Sequence, residues 1–175
     1  MSKLIKHFIT ITKHRNAVLK HCFKVGIPVQ GLLHDLSKYS FEEFFKGVEH
    51  FQGTRSPHEH ERETYGFSYA WMHHKGRNKH HYEYWTDYDC KTKQLKPVKM
   101  PLKYVKEMFC DRVAASKIYQ KEKYTDASAL EYFLTSKQAR FMAPETSELI
   151  EKLLTMLKDE GEEKTFSYIR NLKEY

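Results

Sequence analysis

The chain predicts an all-α fold, a single-domain helical bundle spanning residues 1–175. Three observations carry that expectation. Apolar side chains recur at the three- and four-residue spacing of a helix face, most clearly at Leu149, Ile150, Leu153, Leu154 and Leu157. Helix starts and stops are also present: Ser40-x-x-Glu43 and Ser128-x-x-Glu131 have the form of capping boxes, and Gly26 and Pro28 suit a stop and a new first turn. Strand alternation is scarce, and no repeat, low-complexity tract or Gly/Ser linker divides the 175 residues.

Residues 3–25 predict the first helix, with Ile11, Val18, Cys22 and Val25 at helical spacing. His7, His14 and His21 are seven apart and so fall on roughly one side of it. His14, bracketed by Ile11 and Val18, is the one to watch. A second helix is expected from about Pro28 to Lys38, with His34-Asp35 near its end and Leu32, Leu33 and Leu36 drawing that pair inward. Ser40 opens a third helix through Phe41, Phe44, Phe45 and Val48. Residues 52–64 are polar and read as a mobile loop, in which His58 and His60 belong to a solvated run with Glu59, Glu61 and Glu63.

A helix resumes near Tyr65 and stops at Gly76. His73 and His74 point about 100° apart on it. Ala70, one turn below His74, leaves room there, so His74 is taken as the inward residue. Past the turn, His81 is taken over His80 for its nearness to the Tyr82–Trp85 anchor. Residues 86–101 look irregular, with a short hairpin. From Leu102 to about Glu122 the pattern is helical, and Tyr104, Met108, Asp111, Ala115 and Ile118 share a face. A carboxylate on that face needs a cation, either a metal or Arg112. Segments 127–142, 145–159 and 162–173 read as amphipathic packing helices without chemistry, so the site-bearing part is about residues 10–120 and the packing part about 127–173.

A formal charge of +7 before counting eleven histidines favours anionic partners. Three cysteines without a CxxC pair predict neither a disulfide framework nor a cysteine–zinc site. The apolar patch Phe8–Ile11 is too short for a signal peptide, and no stretch approaches ~20 apolar residues, so a cytoplasmic protein without membrane contact is expected.

The run Gly31-Leu32-Leu33-His34-Asp35-Leu36-Ser37-Lys38 sets a carboxylate beside an imidazole, a combination suited to an open divalent-metal site. The order His14, His34-Asp35, Asp111 resembles the HD superfamily of metal-dependent phosphohydrolases. In that superfamily's HD-GYP branch a lysine also follows the aspartate by three residues, and extra histidines precede the last aspartate. Across residues 10–120 the runs "KHR…V", "GLLHDLSK…EF" and "HHKGRNKHHYEYW" are similar to those of DUF5662, a family of bacterial and phage proteins without an established function.

The HD resemblance implies an HD-like helical bundle. It also implies His14, His34, Asp35 and Asp111 as metal ligands, joined by His74 and His81 if Asp35 bridges two ions. Two departures qualify it. The 20-residue step from His14 to His34 is shorter than usual, which leaves His7 as an alternative first ligand, and no Gly-Tyr-Pro follows the later histidines.

The expected activity is hydrolysis of a phosphate ester, such as a nucleotide, by a metal-activated water. Asp35 and Lys38 would serve catalysis, while Lys38, Arg77 and Asn78 would bind the substrate anion. One or two Mn, Fe or Co ions are favoured by this donor mixture, with Mg or Zn as alternatives. The competing expectation is a non-catalytic nucleotide or nucleic-acid binder that uses the basic, aromatic stretch Arg77–Trp85.

Overall fold

A computed structural model describes residues 1–175, and most of the chain is helical. The elements are α1 (Lys3–Lys24), α2 (Pro28–Leu33), a 3₁₀ turn at Leu36–Tyr39, α3 (Phe41–His50), α4 (Pro57–Tyr65), α5 (Tyr69–Arg77) and a second 3₁₀ turn at Tyr82–Tyr84. There follow a hairpin of β1 (Thr86–Asp89) and β2 (Gln94–Pro97), then α6 (Leu102–Gln120), α7 (Ser128–Leu134) and α8 (Pro144–Asn171). The strands pair antiparallel from Thr86 opposite Pro97 to Asp89 opposite Gln94. Asp89 accepts from the backbone N–H groups of Lys91 and Thr92, which ties down the turn.

The core forms where α1, α6, α7 and α8 meet. Val18, Cys22 and Val25 of α1 pack with Val105, Phe109 and Val113 of α6, Phe133 of α7 and the α8 stripe Ile150, Leu153, Leu154 and Leu157. Each buried side chain of this size stabilises the fold by about 1.5–3 kcal/mol relative to leaving it exposed. The expected α8 stripe is entirely buried.

Several expected boundaries move, each for a local reason. The second helix stops at Leu33 because the chain leaves helical geometry at His34 and enters the left-handed region at Asp35 (φ 53°, ψ 25°). The polar stretch 52–64 is not all loop: Pro57 starts α4 at its first turn, where a missing N–H costs nothing. Gly66 ends α4 with a positive φ of 81°, so the next helix begins only at Tyr69, where Ser68 Oγ accepts from Trp71 N–H at 3.0 Å. That helix runs through Gly76 to Arg77. Ser128 lies inside α7 instead of capping it, its Oγ meeting Gln120 Oε1 at 2.6 Å. The last two expected helices are one, kinked at Gly161.

The leucines around His34-Asp35 do not draw the pair inward: Leu32, Leu33 and Leu36 are 49%, 61% and 47% exposed, while His34 and Asp35 are each 1% exposed. What holds α2 in place is its single buried residue, Gly31. A Cβ there would stand 2.7 Å from Cys22 Cβ and 3.1 Å from Leu19 Cα, so α2 rests on the α1 backbone at a distance only glycine permits. Three residues later the chain turns His34 and Asp35 into the bundle.

Candidate metal centre

Four elements deliver the polar cluster. The turn after α2 supplies His34 and Asp35, α1 supplies His14, α6 supplies Asp111 and Glu107, and α5 with the loop after it supplies His74, His80 and His81. Asp35 is central. Its Oδ2 lies 3.3 Å from His34 Nε2 and 3.7 Å from His14 Nε2, while its Oδ1 lies 3.3 Å from His74 Nε2 and 3.5 Å from His80 Nε2. Asp111 Oδ1 stands 2.9 Å from His14 Nε2 and 3.6 Å from His34 Nε2. Two four-donor sets therefore share Asp35: His14, His34, Asp35 and Asp111 on one side, and Asp35, His74, His80 and His81 on the other.

Carboxylates behind the histidines fix which nitrogen faces the cluster. Glu107 Oε1 takes Nδ1 of His34 at 3.0 Å and of His80 at 3.1 Å. Glu43 takes Nδ1 of His74 at 2.7 Å and of His73 at 2.6 Å. A histidine that donates through Nδ1 leaves the Nε2 lone pair inward, the arrangement found behind metal-binding imidazoles. His14 Nε2, His34 Nε2, His80 Nε2 and both Asp35 oxygens are buried and make no hydrogen bond, close as they are to one another. Such orphaned atoms cost several kcal/mol unless something satisfies them, and a divalent cation satisfies nitrogen lone pairs and carboxylate oxygens together. The donor set fits a metal.

The protein's own cation here is Lys38, whose Nζ pairs with Asp35 Oδ2 at 2.6 Å. Burial alone would lower the lysine pKa, but Asp35 and Asp111 outweigh it and raise it. Burial likewise opposes ionisation of Asp35, and the charges of His34 and Lys38 overcome it, holding the carboxyl well below its usual range. His34 is raised because Asp35, Asp111 and Glu107 outweigh its burial. His14 moves the other way, since burial outweighs the Asp111 contact, and burial with His80 and His74 nearby keeps His81 neutral.

Of the residues expected in the site, His14, His34, Asp35, Lys38, His74, His81 and Asp111 come together. His7 does not join them: its ring sits over Gly47, between Phe44 and Phe51. Arg77 and Asn78, expected to meet substrate, do not line the cleft in front of the cluster. Arg77 is exposed and donates to the His73 carbonyl, while Asn78 is buried and donates to Ser37 Oγ and the His74 carbonyl at 2.8 Å each. Asn78 thus braces His74. The aromatic side chains of the Arg77–Trp85 stretch are for the most part packed. The Trp85 indole donates to the Lys79 carbonyl and packs with Tyr82 against the core, leaving Tyr84 as its one exposed aromatic.

Sequence reasoning missed His80, Glu107, Glu43 and His58. His80 was the other member of a double histidine. Glu107 lies one turn before Asp111 on the same face, a spacing that was legible. The capping-box form of Ser40-x-x-Glu43 accounts for only part of what Glu43 does. Ser40 Oγ does accept from its N–H at 3.4 Å, but the carboxylate turns to His73 and His74 instead of back to the cap. His58 was read as part of a solvated run, yet α4 carries it to Ser68 Oγ at 3.3 Å and brings its ring to 5.9 Å from His74.

In front of the cluster lies a cleft of about 650 Å³, with His14, Lys38, His58, His74, His81 and Asp111 in its floor and wall. His34, Asp35 and His80 lie behind that surface. No helix is long and apolar enough to cross a membrane. Residues 3–156 match the model of a family described as "Family of unknown function (DUF5662)". No curated protein and no solved structure matches the chain.

Proposed function

Because the chain belongs to the DUF5662 family, whose description assigns no activity, we propose a function from the site itself: a divalent-metal-dependent phosphohydrolase acting on a small phosphate ester. The observation that carries this reading is the gathering of His14 Nε2, His34 Nε2, His80 Nε2 and both oxygens of Asp35, all buried and none in a hydrogen bond, with only the Lys38 ion pair on Asp35 Oδ2, beside an open cleft. The order of ligands along the chain, with its resemblance to HD phosphohydrolases, agrees with it.

His14, His34, Asp111 and Asp35 Oδ2 would hold one ion; Asp35 Oδ1, His74, His80 and His81 would hold a second. Bound metal supplies Lewis acidity, which acidifies water and draws charge from phosphoryl oxygens. A set this rich in imidazole suits Mn, Fe or Co better than Mg. Asp35 offers one oxygen to each set, so it fixes their separation. Glu107 and Glu43 hold the imidazoles in the tautomer that leaves Nε2 free. Lys38, at the cleft floor and paired with Asp35, is placed to meet a non-bridging phosphate oxygen and keep the ester over the two sets.

Elemental analysis of the purified protein, with phosphate release from p-nitrophenyl phosphate and nucleoside monophosphates, tests this. About two transition-metal ions per chain and metal-dependent phosphate release are expected. His74→Ala should lower the count from about two to one, and His73→Ala should leave it unchanged. Protein that takes up no Mn, Fe, Co or Zn, or equal losses from both variants, overturns the assignment.

A further inference from the structure

Two arginines on the cleft wall have no carboxylate of their own. Arg112, next to Asp111 on α6, and Arg140, beyond α7, both line the cleft. Their guanidinium groups lie 5.5 and 4.6 Å from the centre of one ring, that of Phe133, which is fully buried. Arg140 donates to the carbonyls of Phe133 and Tyr132. Arg112 reaches only Met108 Sδ, at 4.0 Å, and its Nε is buried without a partner. Glu83, also in the cleft wall, pairs with neither, and its own Oε2 is buried without a partner. Burial and the charge of Arg112 together lower the Arg140 pKa, outweighing the opposite pull of Tyr82, Tyr132 and Glu83, so the two cations are near enough to oppose each other.

A pair of like charges packed on one apolar ring is unfavourable unless an anion relieves it. The Phe133 ring fixes where both forks sit, and Arg112 retains most of its donors for a ligand. Arg55 is a useful contrast, because it lines the same cleft but is spent on Glu63 through two bonds. Resting on the reading of the metal centre given above, we infer that the substrate carries a second phosphoryl group, held by Arg112 and Arg140 while the scissile one lies at the metal centre. The substrate class is then a bis-phosphorylated small molecule, of which a nucleoside bisphosphate is the simplest probe. Planar guanidinium forks are well matched to phosphate oxygens.

The test uses adenosine 3′,5′-bisphosphate, the 3′- and 5′-monophosphates and p-nitrophenyl phosphate, with binding by calorimetry and turnover by phosphate release. Wild-type protein should bind the bisphosphate at least about tenfold more tightly than either monophosphate. Arg112→Gln and Arg140→Gln should each erase that preference. Neither should change metal content, and Arg55→Gln should leave the preference intact. The inference is overturned if wild-type protein binds mono- and bisphosphate alike, or if Arg55→Gln acts as the other two do. It is also overturned if the arginine variants slow p-nitrophenyl phosphate as much as the bisphosphate. Arginine-dependent bisphosphate binding with no hydrolysis of any ester would uphold the anion site and sink the phosphohydrolase. Hydrolysis indifferent to Arg112 and Arg140 would do the reverse.

Discussion

Cys110 and Asp111 are neighbours on α6 and both meet α1, yet the two stretches of seam they belong to behave differently. On one, Cys110 and Cys22 are fully buried among Val18, Phe109 and Val113, and burial pushes the Cys110 thiol up, so it stays neutral. On the other, Asp111 meets His14 and His34, whose contacts outweigh its burial and hold it well below its usual range, so it stays charged. The first stretch is complete in itself: every group is apolar or neutral and has its neighbours. The second borders the cleft, and several of its buried polar atoms, His14 Nε2 and the Asp35 oxygens among them, lack a hydrogen bond. The apolar stretch sets where the helices must lie, and the polar stretch gathers carboxylates and imidazoles beside the cleft.

The largest expected effects separate the two. His34→Ala should abolish binding at the first ligand set and leave helix content nearly unchanged, since His34 lies at a turn and its ring nitrogens face Asp35, Glu107 and Asp111. Leu153→Ala should lower folding stability by about 2–5 kcal/mol and leave metal stoichiometry in the folded fraction intact. Elemental analysis alongside denaturant unfolding reads both. If His34→Ala keeps its full metal, or Leu153→Ala loses it, the division of the seam is wrong.

An intermediate effect should come from the one residue that couples the stretches. Gly31→Ala would press a methyl against Cys22 Cβ and the Leu19 backbone, both rigid parts of α1. It should cost about 1–3 kcal/mol of stability and also weaken metal binding, because His34 and Asp35 move with α2. A stable variant with wild-type metal affinity would show that the contact relaxes without consequence.

The smallest effect concerns the two other α1 histidines. His7 and His21 are buried among aromatic rings, and burial lowers each pKa from 6.5 to about 4, opposed at His21 by the Cys110 carbonyl. Their folded pKa lies below the unfolded one, so the unfolded chain takes protons first. The stability they support is whole above pH 6.5 and declines as the pH falls towards 4. Unfolding of the metal-free protein followed across that window should show proton uptake, and a His7→Gln, His21→Gln double variant should flatten the slope. An unchanged slope would place the acid sensitivity elsewhere.

The same three histidines mark how far the sequence could be read. Heptad spacing put His7, His14 and His21 on one face, and all three are buried there. Only what α6 and the turn after α2 bring opposite them decides that His14 meets carboxylates while His7 meets Phe44 and His21 meets Phe166. Helical periodicity made the α8 stripe and the cap at Ser40 legible because those signals are local. The inward turn of His34 and Asp35 was not, since it depends on a close approach of α2 to α1 that leaves no apolar trace beyond Gly31. The C-terminal segment showed no chemistry because Arg140 acquires meaning only beside Arg112 and Phe133, which are distant in the chain.

The left-handed backbone at Asp35 restricts what evolution could place there. A φ near 53° favours a residue that lacks a Cβ or carries a short polar side chain, although Lys93 and Lys121 adopt similar angles elsewhere in the chain. Glutamate, though acceptable to a metal, would add strain of about 1–2 kcal/mol. Asparagine would fit the backbone but carry no charge, and glycine would fit it and bind nothing. Aspartate thus suits the backbone at this position, and the metal centre proposed above would add a second, independent demand for its charge. The other proposed ligands, with ordinary backbone angles, would face only that second demand.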